Sequence, residues 1–76
     1  MNPRVRAVEA LPDHRLRLSF QDGREAVFDV GPLLQVPVYQ CLQDPAVFAS
    51  ARAAHGTVEW TGGLDIDPDT LYLQSH

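Results

Sequence analysis

The chain has no lysine, and only one cysteine and one tryptophan, among its 76 residues. Without lysine there is no glycine-rich, lysine-tipped phosphate loop; Gly62-Gly63 has the wrong spacing for one and reads as a turn. Cys41 has no second thiol, which excludes an internal disulfide and a thiolate metal knuckle and favours a reducing, cytoplasmic setting. No apolar run approaches the roughly 20 residues of a membrane span, and Met1 to Glu9 holds no apolar leader core, so no membrane association is expected. Six arginines against ten acids leave a formal net charge of −4 and a pI near 5.0. That is the wrong sign for wrapping phosphates, and it makes nucleic acid an unfavoured partner.

What is present suits one small domain over residues 1–76: 45% of the residues are hydrophobic and 21% are charged. A chain of this size buries only about 60% of the surface its unfolded form exposes, which points to stability shared with a partner subunit or a second copy. Arg4, Arg6, Arg15, Arg17 and Arg24 fall in the first third, and most of the acids lie from Asp29 onward. The asymmetry reads first as a solvated strand face and second as a local basic surface.

Val5, Ala7, Val8 and Leu11 half alternate, as an opening strand would. Leu16, Leu18 and Phe20 alternate with Arg15, Arg17 and Ser19, and Ala26, Phe28 and Val30 continue the alternation after Gln21-Asp22-Gly23, which predicts a β-hairpin. Parity selects its loop. A two-residue Asp22-Gly23 turn would put Leu16 and Leu18 on one face and Phe28 and Val30 on the other. A three-residue loop sets Leu18 across from Ala26, Leu16 across from Phe28 and Arg15 across from Asp29, with Gly23 in the left-handed conformation.

Gly31-Pro32 ends the hairpin, and Pro32-Leu33-Leu34 forms a helical turn that Pro37 interrupts. Val38, Tyr39 and Leu42 have the spacing of a short helix lying on the sheet, Asp44-Pro45 closes or restarts it, and Phe48 plugs the core from this layer. Ala49 to Ala54 is compatible with helix or strand and is read as strand, ahead of His55-Gly56 and a strand at Thr57 to Trp60. Asp67 before Pro68 makes an N-cap and first helical position for a terminal turn through Leu71 and Tyr72. The class is α+β: a small, mainly antiparallel sheet with an N-terminal β-hairpin and short helices packed on one face.

No residues assemble into a catalytic constellation. Asp65, Asp67 and Asp69 alternate like calcium-loop ligands, but Pro68 intervenes, Thr70 stands where the loop glycine belongs and His76 where the closing glutamate belongs. They read as a strand-end acid, an N-cap and a first-turn acid. His14, His55 and His76 lie at no metal spacing, and Cys41 with His55 has no oxyanion loop beside it. Neither a catalytic group, a metal ligand nor a cofactor is expected. Trp60, beside Thr61-Gly62-Gly63, reads either as the closure of one end of the core or as a half-covered interface anchor. Tyr72 joins it, with Arg15 and Arg17, as a candidate partner-binding residue. Gly23, Asp67 and Pro68 are the structural positions.

Several short motifs follow in order: Phe20-x-Asp22-Gly23, Asp29-x-x-Pro32-Leu33-Leu34, Leu42-x-Asp44-Pro45-x-x-Phe48, Val58-Glu59-Trp60, Gly63-Leu64-Asp65-Ile66 and Pro68-Asp69-x-Leu71-Tyr72. Over nearly the whole chain this series resembles the bacterial domain of unknown function family 2442. The resemblance implies a compact α+β domain, followed in longer members by a helix-turn-helix segment, and often encoded beside another small protein in arrangements that look like toxin–antitoxin pairs. It implies no catalytic residues. The chain ends at His76, just past Leu71-Tyr72, which disfavours direct transcriptional control.

The leading reading is a non-enzymatic protein-interaction module, antitoxin-like in a two-gene pair, that covers a small protein partner or self-associates. Acidity fits a basic partner, since complementary charge speeds encounter. Two alternatives stay open: a nucleic-acid-associated regulator using the arginine-bearing strand face, and a binder of a divalent ion or small ligand.

Overall fold

The computed structural model describes residues 2–76. Among them, strands β1 (Val5–Leu11), β2 (Arg15–Phe20) and β3 (Glu25–Asp29) form an antiparallel sheet in that order, and β4 (Arg52–Ala54) pairs with β5 (Thr57–Glu59). Helix α1 is a single turn at Pro45–Phe48, and α2 spans Pro68–Gln74. The arrangement is the α+β class expected from the sequence.

The β2–β3 hairpin has the register that parity selects, with Arg15 across from Asp29, Leu16 from Phe28 and Leu18 from Ala26. Its loop is a turn closed by the Gly23 amide donating to the Phe20 carbonyl at 3.0 Å, and Gly23 sits at φ 92°. That backbone region is open to glycine and strained for residues with a Cβ. The Asp22 carboxylate accepts from the Arg24 amide at 3.0 Å and fixes the turn. β1 joins β2 with a bulge at Arg6, because Val5 pairs with Phe20 and Ala7 with Ser19. The extra residue explains why alternation in β1 is only partial.

Between β3 and α1 the chain makes two 3₁₀ segments, Gly31–Gln35 and Pro37–Gln43. Pro32, Pro37 and Pro45 each remove an amide donor and keep the turns short and tight. This changes which residue faces inward. Three residues per turn align Tyr39 with Leu42, so Leu42 is fully buried and Tyr39 half-buried, whereas Val38, expected on the sheet-facing side, is 60% exposed. α1 restarts at Asp44, whose carboxylate accepts from the Ala46 amide at 2.9 Å, and it delivers Phe48 to the core.

The Ala49 to Ala54 segment is strand only from Arg52; Ala49 and Ser50 finish the turn after α1. His55 and Gly56, at φ 54° and 80°, make the tight two-residue link into β5. After Trp60 the chain reverses again, with the Trp60 amide donating to Leu64 at 2.7 Å, so that Glu59 bridges Asp65. The Thr57 hydroxyl donates to the Ile66 carbonyl and ties this return to the core. α2 then begins at Asp67, whose carboxylate accepts from the Asp69 amide at 3.4 Å.

One core results, built from Leu16, Leu18, Phe20, Val30, Leu42, Val58, Trp60 and Leu71, all fully buried, with Val5, Phe28, Phe48 and Ile66 around them. Each such side chain contributes about 1.5–3 kcal/mol on leaving water.

Candidate interaction surface

The inner face of the β1–β2–β3 sheet is spent on this core, and the register fixes what its outer face carries. Glu9, Arg17 and Val27 share one cross-strand row; Arg15 lies beside Asp29, and Ser19 beside Glu25. Arg17 Nη1 meets Glu9 Oε1 at 3.4 Å, with both side chains more than half exposed. An exposed pair of this kind contributes at most about 1 kcal/mol. Two arginines thus stand among three carboxylates, and the face is mixed in charge rather than basic.

The other arginines are used elsewhere. Arg4 donates to the His55 carbonyl at 3.3 Å, and Arg52 pairs with Glu59 at 2.5 Å. Arg24 lies over the Tyr72 ring, 4.8 Å from its centroid, and donates to the Tyr72 carbonyl at 3.0 Å and to the Ser75 hydroxyl and carbonyl at 3.1 Å each. It therefore anchors the C-terminal end of α2 to the hairpin loop. No local signal marks Arg24 for this role, because its partners lie 48 and 51 residues away. Beyond them, His76 exchanges both main-chain hydrogen bonds with Val27 at 2.8 Å and covers the middle of the β3 edge.

Trp60 is not at the surface. It is fully buried, its indole N–H donates to the Phe48 carbonyl at 3.1 Å, and the turn through Gly62 and Gly63 folds the following segment back over it. Of its two sequence readings, core closure is the one the structure has. Tyr72 packs edge-on against Phe20, and its hydroxyl donates to Asp22 at 3.0 Å. That hydrogen bond, then burial and the Asp22 charge, raises the phenol above its ordinary value, against the lowering effect of Arg24. Tyr39 is raised too, first by burial and then by the Asp65 charge, and its hydroxyl donates to the Asp65 carbonyl at 3.1 Å. Arg15 and Arg17 share the outer sheet face, whereas Tyr72 stands apart from them at the hairpin loop and Trp60 in the core.

Asp65, Asp67 and Asp69 do not converge. Asp67 caps α2, Asp69 accepts from Asn2 at 3.3 Å, and Asp65 belongs to the bridge with Glu59. Among the described residues no three His, Cys, Asp or Glu side chains are grouped as a metal site, and no helix is long and apolar enough to cross a membrane. Cys41 is exposed in the second 3₁₀ segment, and His55 sits in the β4–β5 turn. Two shallow depressions stand out on the described surface. One, of about 320 Å³, lies between the β1–β2 turn and α1; the other, of about 270 Å³, lies between Phe28, Leu33 and α2.

These features define a small α+β domain with one packed sheet face and one open one. The chain belongs to the family described as protein of unknown function (DUF2442), whose profile matches residues 5–76. No protein of curated function matches it. Among solved structures, it is similar to that of the "Putative DNA Binding Protein NE0471" from Nitrosomonas europaea, with a TM-score of 0.85 and 33% identity. The match covers 99% of this chain and 50% of that one, so this chain spans about half the length of that protein.

Proposed function

We propose that the chain is a non-catalytic, cytoplasmic protein-interaction module that docks a small protein partner on the outer face of its sheet. The observation that carries this reading is the one-sided packing of β1–β2–β3, which leaves Arg15 and Arg17 interleaved with Glu9, Glu25 and Asp29 around Val27. Alternating charge around a partly apolar centre suits recognition of a complementary protein surface, since such patterns set orientation and reject wrong partners.

The test is co-purification of the tagged chain from its native cell, in parallel with an Arg15→Glu/Arg17→Glu variant shown to keep the same melting temperature. One stoichiometric small protein, captured by the parent and lost by the variant, is the expected result. Absence of any stoichiometric partner overturns the reading.

A second reading, nucleic-acid association, is favoured by the name of the structurally similar protein. The outer face argues against it here, because three carboxylates repel phosphates where two arginines attract them. A mobility shift that is present at low salt, vanishes at high salt and is lost in the same double variant would replace the first reading with the second.

A further inference from the structure

The β1–β2 connection is built against the grain of its own backbone. Asp13 and His14 are consecutive residues with left-handed φ values of 63° and 57°; among the described residues His55 is the other non-glycine in this region, and the remaining positions there are glycines. A Cβ carries a cost in this region that Asp and His bear better than most residues, and two consecutive positions there add their costs.

The packing offsets only part of those costs. The His14 ring meets Phe48 edge-on at 5.0 Å, and its carbonyl accepts from the Val30 amide at 2.9 Å. Its Nε2 is buried without a hydrogen-bond partner, unusual for a polar atom withdrawn from water. The Asp13 carboxylate is exposed and makes no hydrogen bond or ion pair with any other described residue.

Both residues line the 320 Å³ depression, whose remaining walls, Leu11, Pro12, Pro45, Phe48 and others, are apolar. Strained backbone and an idle carboxylate thus coincide at the rim of one concave apolar surface, and one of its lining residues, His14, carries a buried, unpartnered imidazole nitrogen. Its volume lies at the low end for small-molecule sites.

We infer that this depression is a binding site for a small amphiphilic cation, an ammonium or guanidinium group carried on a compact hydrocarbon or aromatic body. The apolar body fills the space between Pro12, Pro45 and Phe48, and the cationic head pairs with Asp13 in a chain whose net charge of −4 already draws cations. The site is separate from the outer sheet face and does not depend on the protein-docking reading.

The experiment is an amide-resolved NMR titration of the full chain with phenethylamine and with its uncharged counterpart, phenethyl alcohol. The amine is expected to perturb residues 10–14 and 45–49 with a dissociation constant on the order of 1 mM, and the alcohol to bind at least about threefold more weakly. Asp13→Asn is expected to erase that difference. Asp13→Gly relieves the backbone while removing the carboxylate, so it should lose the amine preference with a melting temperature unchanged or higher. Equal response to the two probes, or no response at these residues, overturns the site. A lower melting temperature for Asp13→Gly also overturns it, because Asp13 would then serve the fold.

Discussion

At the scale of single residues, the clearest dependence is on backbone conformation and on side chains with long-range partners. Gly23 has open space where a Cβ would project, so Gly23→Ala isolates the conformational cost. It is expected to lower stability by about 1 kcal/mol, measured by chemical denaturation. Phe28, nearly fully buried beneath the hairpin, should cost roughly 3 kcal/mol as Phe28→Ala in the same assay. Tyr72 makes a pH-dependent contribution of predictable sign. Its phenol is raised above 10.0 by the Asp22 hydrogen bond, so the folded state favours the neutral hydroxyl. The stabilisation is complete below that ordinary value and lost as pH rises through the folded one. Tyr72→Phe should therefore flatten the alkaline fall of the melting temperature, read by circular dichroism from neutral pH upward.

At the scale of elements, short pieces stand because their ends are capped and their one buried face is well used. α2 has seven residues, too few to persist alone, and is held by Asp67 at its start, Leu71 in the core and Arg24 at its end. Asp67→Ala removes the cap and is expected to cost about 1 kcal/mol by urea unfolding. Asp67 and Pro68 could be read from the sequence because capping is local chemistry. The 3₁₀ segments were less legible. A helical spacing of Val38, Tyr39 and Leu42 does not reveal how tightly the turn winds, and the tighter winding decides that Val38 faces solvent. The Ala49 to Ala54 segment divides between turn and strand because its alanines favour neither, leaving the choice to pairing with β5.

At the scale of the whole molecule, segments distant in the sequence close on both edges of the three-stranded sheet. Val5 donates to Gly56 at 2.9 Å, which joins β1 to the β4–β5 turn, and His76 pairs with Val27 on the opposite edge of the sheet. Covering an edge strand protects it from pairing with other chains. Removal of Ser75 and His76 takes away two of the three Arg24 hydrogen bonds and uncovers Val27. The expected outcome is a lower melting temperature together with concentration-dependent aggregation, measurable by light scattering during a thermal ramp.

The α+β class, the hairpin register, the left-handed Gly23 and the Asp67 cap all follow from alternation, parity and neighbours within a few residues. Alternation also placed Arg15 and Arg17 on one strand face. Tertiary structure alone decided that Glu9 joins Asp29 and Glu25 on that face, that Trp60 is enclosed, and that Arg24 grips Ser75. It alone also set Asp13 and His14 against Phe48 and Pro45. Periodicity reports which side of an element a residue occupies; only the packed chain determines what meets that side, because the deciding contacts join residues far apart in the sequence.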